Sequence, residues 1–130
     1  MTTILFVCVH NAGRSQLAAG LAAARAGSDV TVISAGTEPD AAVSEKVLAS
    51  LAEVGIDRGS EVPQLLTDQL AARADVIVAL KPGLDLPAHP RVEVWPLPDP
   101  AAWDLDGIRP LRDHIDELVA DLFEREEATS

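Results

Sequence analysis

Among 130 residues there is one cysteine, and it stands where a nucleophile would. Cys8 ends the apolar run Ile4-Leu5-Phe6-Val7, and Arg14 follows six residues later between Gly13 and Ser15. The segment reads Cys8-Val9-His10-Asn11-Ala12-Gly13-Arg14-Ser15-Gln16. With a strand before it and a helix after it, the backbone N–H groups from Val9 to Arg14 can turn inward and form an anion-binding nest. The helix N-terminus adds unpaired donors and a partial positive charge. Arg14 adds a planar fork that matches two oxygens of a tetrahedral oxyanion. The same charges favour the thiolate of Cys8, which is the form that attacks. Ser15 stands where its hydroxyl could donate to that thiolate. The expected substrate-binding set is Val9, His10, Asn11, Ala12, Gly13, Arg14 and Ser15. A cysteine at a strand end is by itself a small core residue. The order of strand, glycine-containing loop, arginine and helix is what points to chemistry.

A second group completes such a site. Asp99 sits between Pro98 and Pro100, which stiffen the backbone on both sides. It follows the fourth expected strand, where loops gather on the same carboxyl edge as Cys8. A carboxyl held there could protonate a departing oxygen. Taken alone, Asp-Pro is an ordinary turn dipeptide. His10 lies inside the loop, where it could touch a substrate or thiol or simply be exposed. His89 and His114 stand alone, with loop and helix-surface roles as the default. No His/Cys/Asp spacing indicates a metal, and no tightly bound cofactor is expected.

Positioning these groups needs alternating strands and helices. Thr3 to Val7 reads as a buried parallel strand, and Val30 to Ala35, Asp75 to Leu80 and Arg91 to Trp95 read as three further strands. Ser15 to Ala26 reads as a helix, with Leu17 and Leu21 at i, i+4. Asp40 is expected to cap a helix through Val54, with the stripe Val43, Val47, Leu48, Leu51, Val54 and a stop at Gly55. Thr67 is expected to cap a short helix to Arg73. Lys81 to Pro90 is a loop. Ile108, Leu111, Ile115, Leu118, Leu122 and Phe123 mark a last amphipathic helix, with Pro110 in its first turn. Its acidic end, Glu124 to Glu127, is expected to fray. The pattern predicts one α/β domain over 1-130 with a parallel sheet.

The net charge of −11 excludes nucleic acid as a partner, since phosphate backbones are bound by a cationic surplus. Any anion must be drawn in by a local field against the global one. The four-residue apolar run near the start is too short to span a bilayer, and no basic region precedes it. With one cysteine there is no internal disulfide, which suits a cytoplasmic location.

Cys8-x5-Arg14-Ser15 with Asn11 inside it, Ser34-Ala35-Gly36-Thr37 after the second strand, and Asp99-Pro100 near the end resemble the low-molecular-weight protein tyrosine phosphatase superfamily. The resemblance implies a four-stranded parallel sheet in order 2-1-3-4 flanked by helices. It makes Cys8 the nucleophile, Arg14 the oxyanion clamp and Asp99 the general acid. Asn11 would hold the loop in shape, and Ser15 would stabilise the thiolate.

That superfamily runs two chemistries, phosphate ester hydrolysis and arsenate reduction. Gln16 after Arg14-Ser15 resembles the reductase form, where phosphatases usually carry proline. Ala101 and Ala102 stand where phosphatases usually place tyrosine, and the chain has no tyrosine at all. Stacking an aryl phosphate needs aromatic walls; Trp103 could be one, but a core or surface-patch role is the default. A small inorganic anion is therefore the expected substrate: arsenate, with phosphate or sulfate as analogues. The thioredoxin-linked branch carries two further cysteines in the loop matching Leu80 to Pro87, and this chain has none there. The resemblance is then to the branch that passes arsenate to a low-molecular-weight thiol. Mycothiol with mycoredoxin is the expected pair, because the alanine- and aspartate-rich composition suits a GC-rich actinobacterial genome. Glutathione with a glutaredoxin-like protein is the runner-up. A tyrosine phosphatase and a non-catalytic oxyanion-binding module are the alternatives.

Overall fold

Two periodicities alternate along the chain, and the elements follow them. The computed structural model describes residues 1–129, with side-chain surroundings through residue 126. The central strand β1 (Thr2–Cys8) leads through a loop into helix α1 (Arg14–Arg25) and strand β2 (Val30–Gly36). Helices α2 (Glu45–Ala52) and α3 (Asp68–Arg73) follow, then strands β3 (Val76–Ala79) and β4 (Val92–Val94) and helix α4 (Leu105–Thr129). The strands form one sheet in order β2-β1-β3-β4, with every pairing parallel, as the family resemblance implied.

Alternation along β1 splits the core into two layers. Ile4, Phe6 and Cys8 face one side, together with Val76, Val78 and Leu80, against α1, α2 and α4. Leu5 and Val7 face the other side with Ile77, against Ala71 of α3 and the loop residues Leu84 and Leu86. Cys8 is thus a core-facing position at the carboxyl end of the central strand, 3% exposed. Strand β1 is covered on both faces, which is why its sequence is continuously apolar rather than alternating.

Three expected features differ. Asp40 does not cap α2. The cap is Ser44, whose hydroxyl accepts from the Val47 N–H, and residues 39–44 form an irregular turn. The turn is imposed from outside, because the Asp40 and Ser44 N–H groups donate to the carbonyls of His10 and Ala12 in the Cys8 loop. Gly55 ends α2 as expected, at φ +81°, with Ile56 N–H on Leu51 O and Gly55 N–H on Ala52 O. Helix α4 begins at Leu105 behind Asp104, whose carboxylate accepts from Gly107 N–H, so Pro110 falls in the second turn rather than the first. The acidic end of α4 is pinned rather than frayed. Arg125 donates to Glu93 on β4, and Glu126 accepts from Arg91. The side chain of Glu127 lies outside the described residues.

Helices α2 and α4 are joined by Glu53, which accepts from Arg109 and Arg112, while Arg112 also donates to Ser50 O at 2.9 Å. The Arg109 hydrogen bond, then that of Arg112, holds the Glu53 carboxyl down at about 2. A carboxyl lowered on folding stabilises above its unfolded value, and the effect is lost as pH falls through the folded one. The stability advantage of the wild type over Glu53→Gln should therefore be full near neutrality and shrink steadily from about pH 4.5 towards about pH 2. Thermal melts of both proteins across that range test this, and a constant difference would contradict it.

Candidate active site

The loop after β1 is shaped by where its carbonyls go. The Cys8, Val9 and His10 carbonyls accept from the N–H groups of Thr37, Glu38 and Asp40 at 3.1, 2.8 and 2.9 Å. The Ala12 carbonyl accepts from Ser44 N–H at 3.0 Å. The remaining carbonyl, that of Asn11, accepts from Nε2 of the Gln16 side chain at 3.0 Å. Every carbonyl from Cys8 to Ala12 is thus turned outward. Each peptide here is trans, and in a planar trans peptide the next N–H points opposite to the carbonyl. The five N–H groups from Val9 to Gly13 are therefore turned away from those partners, an arrangement that could cradle an anion.

Asn11 makes the turn possible. It adopts φ +52°, a left-handed conformation that asparagine tolerates better than most residues. Its side chain is fully buried and doubly held. Oδ1 accepts from Gln64 N–H at 2.9 Å, and Nδ2 donates to Ser15 Oγ at 2.7 Å. Ser15 Oγ lies 3.0 Å from Cys8 Sγ, and Asn11 N–H donates to the same sulfur at 3.3 Å. Because Ser15 Oγ already accepts from Asn11, its own hydrogen is free to point at sulfur. Two donors thus converge on Cys8.

Helix α1 starts at Arg14 with no side-chain cap and no acidic residue in its first turn, so its positive end is not neutralised locally. Arg14 is 8% exposed, and its Nη1 donates to Leu97 O at 3.0 Å. Leu97 belongs to the loop that carries Asp99, so Arg14 ties the two halves of the site together. Pro100 packs over Gly13, and Asp99 Oδ1 accepts from Ala101 N–H.

Cys8, His10, Ala12, Gly13, Arg14 and Asp99 line one cavity of about 190 Å³. Of the remaining residues expected at the site, Val9 is half-buried behind the loop, and Asn11 and Ser15 are fully buried beneath it. Asp40, read from the sequence as a helix cap, stands on the cavity wall instead. Trp103 is half-buried against the core and does not line the cavity. His89 ties its loop to the end of α3: Nε2 is 2.8 Å from Ala74 O, and Nδ1 accepts from Arg91 N–H.

The residues from 3 to 86 match the family model described as low molecular weight phosphotyrosine protein phosphatase. The chain belongs to that family. It is 33% identical over 118 residues to an arsenate reductase of Staphylococcus xylosus, covering 87% of this chain and 89% of that one. Among solved structures it superposes on an arsenate reductase in the phosphate-binding state at TM-score 0.87, with 31% identity, covering 96% of this chain and 98% of that one. A thioredoxin-dependent arsenate reductase of Corynebacterium glutamicum gives the same TM-score and identity over all of this chain, which spans 64% of that structure's length. Asp99 lies beyond the stretch matched by the family model.

Membership in the phosphatase family does not by itself explain the supports that sequence reading missed. Gln16 served there as a family mark, yet it is 1% exposed and acts as a brace. Its Oε1 accepts from Nη2 of Arg58 at 2.9 Å, so Arg58 orients the amide whose other end holds the loop. Arg58 is half-buried, and burial pushes its pKa down. Gln64 was also missed. These partners lie 42 and 53 residues from the groups they hold, and no local pattern links them. A polar Gln16 among the alanines and leucines of α1 was the one visible signal.

Gly36, at the end of β2, meets the loop directly. A Cβ there would lie 2.5 Å from Val9 O and 2.9 Å from Asn11 N. Gly36→Ala should therefore push the nest off its partners. Losing one hydrogen bond to a charged ligand costs about 1.5–3 kcal/mol, so phosphate affinity should fall about tenfold or more. Calorimetric titration with phosphate measures this, and unchanged affinity would show that the loop yields without cost.

Proposed function

We propose that this protein is an arsenate reductase of the arsenate–thiol transferase type, working in the cytoplasm. The observation that carries the reading is the cavity itself. It gathers the chain's one cysteine, an inward-facing nest and Arg14 around a space of about 190 Å³ with no Phe, Tyr or Trp on its wall. Such a space suits a small tetrahedral oxyanion. The arsenate reductases among the relatives support arsenate as that anion.

In the proposed reaction the nest and Arg14 hold arsenate with its arsenic over Cys8 Sγ. The thiolate attacks arsenic and forms an S–As bond. Asp99 gives a proton to the departing oxygen, which leaves as water. A low-molecular-weight thiol then attacks arsenic, the As–Sγ bond breaks and Cys8 returns as thiolate. No electrons change hands in that exchange. Reduction follows when a further thiol attacks the sulfur of the thiol–arsenate adduct. A disulfide forms, arsenic takes the electron pair, and arsenite leaves.

With Cys8 the one thiol in these 130 residues, an internal disulfide relay has no second sulfur. This supports an external thiol: mycothiol with mycoredoxin first, glutathione with a glutaredoxin-like protein second. The likeness to a thioredoxin-dependent reductase favours thioredoxin as the competing reductant. The family match supports aryl phosphate hydrolysis as the second reading.

One preparation should separate these. Arsenite release is expected with arsenate, mycothiol and mycoredoxin, and none with arsenate and thioredoxin. Phosphotyrosine should be hydrolysed slowly at most. Cys8→Ser should abolish turnover, and Asp99→Asn should lower it by about 10²–10⁴-fold while phosphate still binds. Efficient aryl phosphate hydrolysis, with no arsenite under any thiol system, would move the protein to the phosphatase reading.

A further inference from the structure

The proposed reaction has two proton transfers, and Asp99 serves the first. The second belongs to the incoming thiol, which must lose a proton to attack arsenic. A carboxylate is poorly matched to a thiol proton, whereas an imidazole is close to it in basicity. His10 lies two residues after Cys8, is half-exposed, and lines the same cavity.

The ring of His10 is held from one side. Nδ1 lies 3.2 Å from the Glu38 carbonyl and 3.3 Å from Asp40 Oδ1. Both are acceptors, so the hydrogen sits on Nδ1. The lone pair of Nε2 is then exposed, and Nε2 has no hydrogen-bond partner among the described residues. The backbone fixes the same pairing, since Asp40 N–H donates to His10 O and Glu38 N–H to Val9 O. A carboxylate that holds one imidazole nitrogen and leaves the other free, on a ring that lines the cavity, is the arrangement of an oriented general base. It also accounts for Asp40 standing on the cavity wall. The other charged groups on that wall are Arg14 and Asp99.

We infer that His10, oriented by Asp40, is the general base that deprotonates the thiol cosubstrate as it attacks the arsenic held on Cys8. This rests on the arsenate–thiol transfer reading. The thiol proton passes to His10 Nε2, the sulfur–arsenic bond forms, and the As–Sγ bond breaks with its electron pair returning to Cys8. Asp40 is a positioning residue and does not touch the thiol.

The test compares thiols of different acidity. Wild type, His10→Gln and Asp40→Asn are assayed for arsenite release with excess N-acetylcysteine, an alkyl thiol that is protonated at neutral pH, and with 4-nitrothiophenol, which is already ionised there. With the alkyl thiol His10→Gln should lose about 10²-fold or more in kcat/KM for thiol. With the aryl thiol it should stay within a few-fold of wild type. Asp40→Asn should show the same selective loss, smaller in size. Equal loss with both thiols, or no loss with either, would overturn the base while leaving arsenate transfer standing. A wild type that releases no arsenite with any thiol, yet hydrolyses aryl phosphates, would overturn both together.

Discussion

Five outward-facing carbonyls make this site. A loop between a strand and a helix has no reason of its own to aim its N–H groups at one point. Here each carbonyl from Cys8 to Ala12 is captured by a donor outside the loop, and peptide planarity then turns the following N–H the other way. Four of those donors are backbone N–H groups of the segment from Thr37 to Ser44, and the fifth is the amide of Gln16. The irregular course between β2 and α2 follows from that duty, which is why a helix cannot begin at Asp40.

The sheet makes the capture possible. Strands β1 and β2 pair in register, Cys8 beside Gly36, so both chains leave the sheet at one level and meet at once. Only a residue without Cβ lets them approach so closely. On the other side Leu97 N–H reaches Leu80 O beyond β3, and the Leu97 carbonyl receives Arg14. The acid-bearing loop is thereby fixed to the sheet and to the first turn of α1 together. Helix α1 is buried from Arg14 to Ala22, so the turn that presents Arg14 has a rigid base.

Charge works on two scales. The chain carries −11 overall, and its surface repels anions. Around the loop the favourable local sources are backbone N–H dipoles, an uncapped helix start and the buried Arg14. Low local polarisability strengthens such interactions. A dianion near the loop therefore feels the near field, and the acidic surface acts as a distant, salt-screened background.

Much of this was legible in residue order. Hydrophobic period marked the four strands and the helices, because burial on one face or two is a local property of spacing. Cys8, Gly13 and Arg14 were legible because the loop they close is local too. Thr67 and Gly55 were readable as helix boundaries, since caps and stops depend on a few neighbouring residues. What tertiary structure alone decided is how distant groups complete that loop. Gln16 could be read as a mark of kinship but not as the donor to Asn11, and Arg58 and Gln64 gave no sign of being its supports. Asp40 was misread as a cap, because its real constraint comes from His10, 30 residues earlier in the chain. A cap is an interaction within one turn, and sequence spacing encodes it. A carbonyl captured by a segment from another strand is a contact between chain portions that only the folded sheet brings together.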